Sequence, residues 1–424
     1  MKRQIFYILF LILLLSSCLE SPEMTKGIIN EKEKPTVFTG MANPFPIDGN
    51  LSFQGEIIEK GKAEIIEKGF YWSTVSQNPE LDDNVIISDT DADIFSYELK
   101  NAKGEKTYYW RAYAKNSFGY DYGEVQSCQT PNIWIERDSL RAEIRARGAI
   151  FTLSNNIYIT CGQKNIGHVT DTWEYNITSN SWIQVADDET FHGKGRIYPV
   201  VFTIGNFAYV GTGQPANLLA YKDFYRFSAE SKNWIEITTP ENFEARYEAT
   251  AFSIDGKGYV IGGFSADKRG LQDVWQYNPE SDLWLQKNDF PVILTSGISI
   301  SDNNRAFAGF GDTNDSSGKL WEYIKEKDEW EIFTDELPDE NIRKIYSGII
   351  LQNTIYVVDD NNSIWACNLS NKVWEKKSDL PSAILNQGGV EVKQTLLTTG
   401  NSNSIYVGLG FTRRFFEYRP LWDN

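Results

Sequence analysis

The sequence predicts an all-β protein in which a β-sandwich precedes a β-propeller of six repeated units. Aromatic residues make up 14% of the 424 residues whereas methionine occurs 3 times, and aromatic side chains suit the pleated, half-buried surface of a strand. Short β-favouring runs are separated by Gly, Pro, Asn and Asp. After residue 131, tryptophans recur at steps of 52, 50, 46 and 44 residues. No 3.6-residue apolar period accompanies them, which favours propeller blades over helical repeats.

Residues 1–17 predict a secretory signal peptide. A positively charged start precedes an apolar run, Ile5 to Leu15, that is too short for a convincing membrane span. The following Leu15-Ser16-Ser17-Cys18 resembles the lipobox of bacterial lipoproteins, which implies Sec-dependent export, cleavage and lipidation of Cys18. The alternative is an ordinary signal peptide that contains a cysteine. Residues 18–34 are polar and predict a flexible tether.

A lipid anchor at Cys18 makes the membrane an expected partner of the chain. The expected location is the outer membrane, at the cell surface or on the periplasmic face.

Residues 35–131 predict a domain of short strands. Its clearest part, Thr107 to Gly123, shows an alternating strand, a turn and a second strand. Alternation places four side chains on one face, which can be core, namely Tyr108, Trp110, Ala112 and Ala114. Leu99, Thr107 with Tyr109, and the run from Arg111 to Gly123 resemble the last strands of fibronectin type III-like domains in surface lipoproteins of the Bacteroidetes. This resemblance implies a β-sandwich that serves as a spacer or interaction module.

Residues 132–424 contain the repeat. Pairs of residues seven apart recur at Tyr175 with Trp182, Phe227 with Trp234, Tyr277 with Trp284, Tyr323 with Trp330, and Cys367 with Trp374. Before each pair an aromatic leads into Gly or small residues, with copies at Tyr158, Tyr209, Tyr259, Phe307, Tyr356 and Tyr406. The order of these elements resembles the Kelch repeat, which implies a four-stranded blade per unit. The Gly pair of the repeat is absent at Val358-Asp359, and Cys367 replaces an aromatic.

In the last copy of the repeat, Phe416-Glu417-Tyr418 corresponds to the element that contains the first member of each pair. No tryptophan lies seven residues after Tyr418. Trp134 lies 48 residues before Trp182, which is one period. We therefore predict that a strand containing Trp134 pairs with the strand containing Tyr418 and closes a ring of six blades.

The last blade has two possible strand assignments. The segment between Trp374 and Tyr406 is longer than its counterparts. Either an insertion precedes the inner strand of the last blade, or Gly389 to Gly400 supplies the inner strands. We favour the insertion because it keeps both repeat elements in order.

Charge and residue supply exclude several function classes. The net charge is −17, so nucleic acid is not an expected partner. The chain has two histidines, His168 and His192, and its cysteines after Cys18 show no CxxC or His-paired spacing. We therefore predict no metal site and no cofactor. The three cysteines are expected to be mostly buried free thiols, namely Cys128, Cys161 and Cys367.

Recurring arginines suggest a ligand site at one mouth of the channel. They precede the inner strands by equal offsets, at Arg145, Arg196, Arg246 and Arg343. Because guanidinium groups bind carboxylates and sugar hydroxyls, this set is a candidate binding ring. Tyrosines that could stack on a sugar recur nearby, at Tyr198, Tyr247 and Tyr346. Alternatively, the arginines tie neighbouring blades together through carbonyls and acids such as Glu244 and Glu248, and the tyrosines pack between blades.

No catalytic motif is found, and no catalytic residue is predicted. Copper-radical galactose oxidases need Tyr, Cys and His ligands that two histidines do not supply. The main hypothesis is a cell-envelope lipoprotein that binds glycan or protein partners without catalysis. The alternatives are a sugar-modifying enzyme of the sialic acid mutarotase type, which this chain resembles in blade number and channel arginines, and a structural envelope component.

Overall fold

The computed structural model describes residues 33–41, 49–143, 145–164, 166–187, 189, 191, 194–217, 219–313, 315–381, 396–401, 403–408 and 413–423. In these ranges the regular structure is antiparallel strands and a 3₁₀ turn, Pro420–Trp422, which confirms the all-β prediction. Within the same ranges no helix is long and apolar enough to cross a membrane. The predicted signal peptide, Cys18 and nearly all of the predicted tether lie outside the described residues.

Residues 35–131, which follow the predicted tether, contain two antiparallel sheets. One sheet consists, in spatial order, of β1 (Thr36–Gly40), β2 (Leu51–Glu59) and β5 (Ile94–Leu99). The other consists of β4 (Asn84–Ile87), β3 (Glu67–Ser73), β6 (Thr107–Asn116) and β7 (Gly119–Tyr122), with β8 (Gln126–Gln129) also paired to β6. Phe53 and Trp110 stack between the sheets with ring centroids 5.1 Å apart, so the two sheets share one core.

The predicted alternation along β6 is confirmed on its core face and incomplete on the other. Tyr108, Trp110, Ala112 and Ala114 are all buried. Tyr113, predicted for the opposite face, is also buried because it stacks on Tyr71 at 4.3 Å and donates a hydrogen bond to Glu67 at 2.8 Å. Aromatic side chains therefore cover both faces of β6.

Six further sheets follow along the chain, and we number them in sequence order. The first consists of β10 (Ala149–Leu153), β11 (Asn156–Thr160), β12 (Thr172–Asn176) and β13 (Ser181–Ala186). The second consists of β14 (Val200–Ile204), β15 (Phe207–Gly211), β16 (Phe224–Ser228) and β17 (Trp234–Ile237). The third consists of β18 (Arg246–Tyr247), β19 (Thr250–Ile254), β20 (Lys257–Ser265), β21 (Gly270–Asn278) and β22 (Leu283–Gln286).

The remaining three sheets repeat this order. The fourth consists of β23 (Ile298–Ser301), β24 (Ala306–Gly309), β25 (Leu320–Ile324) and β26 (Glu329–Thr334). The fifth consists of β27 (Ile345–Leu351), β28 (Thr354–Asp359), β29 (Ser363–Asn368) and β30 (Trp374–Asp379). The sixth, which we call the closing sheet, consists of β31 (Leu396–Asn401), β32 (Ser404–Gly408), β33 (Phe415–Tyr418) and β9 (Trp134–Arg137).

The six sheets are arranged in a ring. The inner strands contact one another in the order β10, β14, β19, β23, β27, β31 and back to β10. A separate hydrophobic cluster lies between each pair of neighbouring sheets. Each sheet is therefore covered on both faces, and this explains why consecutive residues such as Ile157, Tyr158 and Ile159 are all buried.

The seven-residue spacing of the repeat corresponds to a fixed pairing between the third and fourth strands. Tyr175 lies directly opposite Trp182, with ring centroids 5.1 Å apart. In the intervening turn, Asn180 adopts a left-handed conformation (φ 51°) and accepts a hydrogen bond from the Tyr175 hydroxyl at 2.7 Å. Equivalent hydroxyl contacts join Tyr277 to Asp282 and Tyr323 to Asp328.

The closing sheet confirms the predicted partner of Tyr418. Trp134 in β9 lies directly opposite Tyr418 in β33, and the ring centroids are 4.7 Å apart. Ion pairs join Arg137 to Glu417, and Arg414 to Glu136, across the same two strands. Strands from two distant parts of the sequence thus complete one sheet.

The described strands of the closing sheet also keep both repeat elements in order. β32 contains Tyr406 and is second from the channel, and β33 is third. The insertion favoured for this blade, Leu380 to Gln394, lies outside the described residues from residue 382 onwards.

Candidate functional site

Three of the four predicted arginines are buried. Arg145, Arg196 and Arg246 expose 2%, 0% and 0% of their surface. Each guanidinium donates hydrogen bonds to a carbonyl sixteen residues further along the chain and to a carboxylate beside or within the third strand of its own sheet. The carbonyls belong to Cys161, Thr212 and Gly262, and the carboxylates to Asp171, Asp223 and Asp273.

These carboxylates also accept hydrogen bonds from aromatic side chains two residues further along the chain. The donors are Trp173 at 2.8 Å, Tyr225 at 3.2 Å and Trp275 at 2.7 Å. Burial acts to raise the pKa of Asp223 and Asp273, but the attraction of the Arg196 and Arg246 guanidinium groups outweighs it and holds both pKa values below the usual range. Each arginine is thus part of an internal charged network.

This geometry favours the structural alternative for the three buried arginines. Their acidic partners lie in the same sheet. The Glu244 backbone carbonyl accepts a hydrogen bond from Arg246 Nε at 3.0 Å, whereas the Glu244 carboxylate binds Arg269 at 2.6 Å. A ligand that bound these buried guanidinium groups would compete with the aspartate that each of them already binds. Ligand binding by Arg145, Arg196 and Arg246 therefore stays a prediction that would require an internal ion pair to open.

Arg343 differs from its three counterparts. Ser363 stands two residues before Trp365, at the place that an aspartate occupies in the first three sheets. The buried carboxylate is supplied instead by Asp359, which accepts hydrogen bonds from the Trp365 indole at 3.0 Å and the Ser363 backbone at 2.8 Å. Arg343 is exposed, and its backbone N–H donates to Asp360 at 3.1 Å. The structure therefore does not make the four arginines equivalent.

The three predicted tyrosines also occupy different positions. The Arg147 guanidinium lies 5.0 Å from the ring centroid of half-buried Tyr198. Tyr247 stacks on Phe264 with centroids 5.5 Å apart. Burial, and then the nearby acids beginning with Asp360, raise the pKa of half-buried Tyr346. All three lie close to the start of an inner strand, but not at one repeat position.

A recurring backbone conformation marks a position that the sequence pattern did not reveal. Two residues before the inner strands of four successive sheets, a non-glycine residue adopts a positive φ. These residues, which we call the mouth cluster, are Arg147 (φ 62°), Tyr198 (φ 53°), Glu248 (φ 51°) and Ser296 (φ 50°). Because four different residue types share the position, no compositional signal identifies it.

Neighbouring members of the mouth cluster are joined by hydrogen bonds. The Tyr198 backbone N–H donates to the Arg147 carbonyl at 2.8 Å, and the Ser296 N–H donates to the Glu248 carbonyl at 3.0 Å. The Ser296 hydroxyl also donates to the Glu248 carboxylate. The four residues are half-buried, so the cluster offers a guanidinium, a phenol, a carboxylate and a hydroxyl at one end of the ring.

His168 and a charged pair extend this end of the ring. Burial, reinforced by the positive charge of Arg147, lowers the pKa of His168 although a contact with the Gln214 backbone acts to raise it. Lys344 binds Asp312 at 2.8 Å. A neutral imidazole beside a cation and a phenol is suited to hydrogen bonding with polar ligands. Among the described residues, no group of three or more His, Cys, Asp or Glu is placed to hold a metal ion.

The cysteine prediction is supported for two of three thiols. Cys161 and Cys367 are buried and free, whereas Cys128 is free and half-buried. Burial raises the pKa of Cys161 to about 12 and of Cys367 to about 11. Both are therefore protonated, unreactive thiols at neutral pH.

Comparison with known proteins identifies the repeat. Residues 245–291, which include the whole third sheet, match the Kelch motif. N-acetylneuraminate epimerase of Haemophilus influenzae strain 86-028NP is 29% identical over 157 residues, which cover 32% of this chain and 41% of that protein. Human Kelch-like protein 23 is 24% identical over 275 residues, which cover 61% of this chain and 46% of that protein.

A solved structure supports the same fold. The structure of YjhT superposes with a TM-score of 0.51 and 11% identity, covering 66% of this chain and 95% of that chain. The match spans less than half the length of each of these curated relatives. Together with the ring of antiparallel sheets, these similarities support a Kelch β-propeller.

Proposed function

We propose that this chain is a lipid-anchored cell-envelope protein that binds glycan or protein partners through the mouth cluster. In this proposal the six sheets are the blades of one propeller and residues 35–131 are a fibronectin type III-like stalk. The observation that carries the proposal is the mouth cluster itself. A non-glycine residue with positive φ costs on the order of 1–3 kcal/mol and such residues concentrate at functional sites.

The mouth cluster is a better candidate for ligand binding than the buried arginines. Three of the predicted arginines are engaged with aspartates inside their own sheets. The mouth cluster combines an aromatic ring with charged and hydroxyl groups, and this mixture suits a polyhydroxylated ligand or a polar protein surface. The exposed Arg343 and half-buried Tyr346 are the members of the predicted set that would extend such a site.

A second candidate is a sugar-modifying enzyme. The similarity to N-acetylneuraminate epimerases favours it, and His168 with its lowered pKa could exchange protons with a sugar hydroxyl near neutral pH. We keep the binding role first because the sequence contains no recognised catalytic motif. A structural envelope component is the third alternative.

A glycan array tests the binding proposal. We expect the wild-type chain to bind a subset of glycans, and Tyr198→Ala to lose that binding at least about tenfold because a stacking surface is removed. Tyr97→Ala is the matched control, since Tyr97 is an exposed tyrosine on the sandwich. If no glycan binds, and capture of envelope proteins is equal for wild type and Tyr198→Ala, the mouth cluster is not a recognition site.

Nuclear magnetic resonance separates catalysis from binding. Exchange between sugar anomers or epimers is measured with wild type and with His168→Gln. Acceleration by wild type and its loss in His168→Gln would establish the enzymatic alternative. Exchange at the uncatalysed rate with bound sugars would exclude it for those sugars.

The anchor at Cys18 has its own test. Labelled palmitate should be incorporated into wild type and not into Cys18→Ser when both are expressed in a Gram-negative host. Equal labelling of the two chains would contradict the proposed lipidation.

A further inference from the structure

The 3₁₀ turn after β33 inserts a tryptophan into the core of the sandwich. Trp422 is 4% exposed and belongs to the same hydrophobic cluster as Phe53, Phe70 and Trp110. Ile133, in the connection between the sandwich and the ring, packs against this cluster as well. The sandwich core therefore contains a side chain that lies more than 290 residues away in sequence from most of its neighbours.

Two glycines of the sandwich make room for this turn. The Gly104 N–H donates to the Trp422 carbonyl at 2.8 Å, and a Cβ at Gly104 would lie 3.0 Å from the Trp422 Cβ. Gly49 has a positive φ of 77°, and a Cβ there would lie 2.3 Å from the Leu421 carbonyl oxygen. The sandwich surface is thus shaped for the backbone of this segment as well as for its indole.

The same segment remains tied to the ring on its other side. The Tyr418 hydroxyl donates to Asp423 at 2.7 Å, which repeats the contact of Tyr277 with Asp282. The Ser378 N–H, from the fifth sheet, also donates to Asp423 at 2.6 Å, and the Arg419 N–H donates to the Ile133 carbonyl at 2.9 Å. The turn of the repeat is kept, while the residue before its acid is directed into the sandwich.

We propose that residues 420–423 are a clamp that completes the sandwich core and joins the sandwich to the propeller at a second point. The clamp adds to the direct connection through Pro131 and Ile133, so the stalk is held at two points. Its consequence is a fixed angle between stalk and propeller, which sets the direction of the mouth cluster relative to the stalk. The sandwich then depends on the C-terminal segment for part of its own core.

Hydrogen exchange of the full chain tests the coupling. Trp422→Ala should raise exchange in β1, β2 and β6 about 100-fold, because a buried aromatic is lost from their core. Trp284→Ala is the matched control, since it removes a tryptophan from the third sheet and should leave exchange in those three strands unchanged. Wild-type exchange of β1, β2 and β6 in Trp422→Ala would overturn the proposal.

A second variant covers the case in which Trp422→Ala does not fold. Gly104→Ala keeps the indole but crowds the Ile133 side chain and the Trp422 Cβ, and it should raise exchange in the same strands by a smaller factor. Pro131 also lies close to Gly104. We therefore add Leu421→Ala, which leaves Gly104 intact. It should raise exchange least of the three variants, Trp422→Ala, Gly104→Ala and Leu421→Ala. Equal exchange in wild type and Gly104→Ala would overturn the clamp.

Distance measurements between spin labels test the fixed angle. Val75 on the sandwich and Leu283 on the propeller are 89% and 65% exposed, and each can carry a label as cysteine in a Cys18→Ser, Cys128→Ser background. We expect a single narrow distance distribution with Trp422 and a broadened one with Trp422→Ala. An equally broad distribution in both chains would show that the clamp does not fix the angle.

Discussion

The third sheet and the closing sheet complete the same architecture by different means. The third sheet is continuous from Arg246 to Gln286, and its buried ion pair, Arg246 with Asp273, lies within it. The closing sheet joins strands 280 residues apart, and Glu417 accepts hydrogen bonds from Arg137, Arg419 and Ser404. A local repeat therefore suffices to specify a blade, whereas closing the ring also depends on ion pairs between strands that are distant in sequence.

Among the changes to these two sheets, removing residues 415–424 should destabilise the chain most. The deletion takes away β33 and the clamp, leaving β9 and β32 as unpaired edges. We expect loss of the cooperative thermal transition and aggregation, measured by circular dichroism and size-exclusion chromatography. A folded monomer that melts within a few degrees of wild type would mean that the ring does not need its closing strand.

Arg246→Ala should be the most damaging single substitution in the third sheet. It removes a fully buried guanidinium and leaves the partly buried Asp273 carboxylate without its cation, which should cost about 3–5 kcal/mol of unfolding free energy. Arg343→Ala is the matched control and should cost less than about 0.5 kcal/mol, because the Arg343 side chain is exposed. Urea denaturation measures both, and equal losses would contradict the structural difference between the two arginines.

Trp134→Ala and Trp284→Ala compare the two sheets at the same repeat position. Both tryptophans are half-buried and lie opposite a tyrosine, so each substitution should cost about 2 kcal/mol. Hydrogen exchange should rise in the third sheet alone for Trp284→Ala. For Trp134→Ala it should rise in the closing sheet and in its two neighbours, because the ring opens there. A purely local response to Trp134→Ala would argue against closure by β9.

Acid should weaken both sheets through their buried carboxylates. Burial acts to raise the pKa of Glu417, but hydrogen bonds from Ser404, Arg137 and Arg419 outweigh it and hold this pKa below its usual range. A carboxyl whose pKa is lowered by folding adds stability above its unfolded pKa of about 4.3 and loses it as pH falls through the folded value.

Glu417→Gln should therefore reduce the dependence of the melting temperature on pH between about 5 and 3. The third sheet keeps its own dependence through Asp273, whose pKa is also lowered. An unchanged pH profile in Glu417→Gln would show that Glu417 is not charged in the folded chain.

The closure of the ring could be predicted from sequence because one spacing determines it. The third and fourth strands of a sheet place residues seven apart opposite each other, so Tyr418 required a tryptophan from elsewhere, and Trp134 was one period from Trp182. The burial of the arginines was not predicted as the main hypothesis. The signal was present, since Asp171, Asp223 and Asp273 each stand two residues before an aromatic, but the ion pairs bridge 26 or 27 residues.

Two other features have no local signal in the sequence. The mouth cluster shares a backbone conformation rather than a residue type, because its positive φ is imposed by the connection into each inner strand. The destination of Trp422 depends on contacts with a different domain, and it matches no position of the repeat. Both become visible only when the tertiary structure brings distant residues together.

The central claim is that the mouth cluster recognises the ligand while the buried arginines hold the blades. Its most direct test is a binding isotherm for the strongest glycan or protein partner with wild type, Tyr198→Ala and Tyr97→Ala, each checked for an unchanged melting temperature. We predict a dissociation constant at least about tenfold weaker for Tyr198→Ala, the loss expected when a stacking contact of about 1.4 kcal/mol is removed, and a wild-type value for Tyr97→Ala. Wild-type affinity in Tyr198→Ala would contradict the claim.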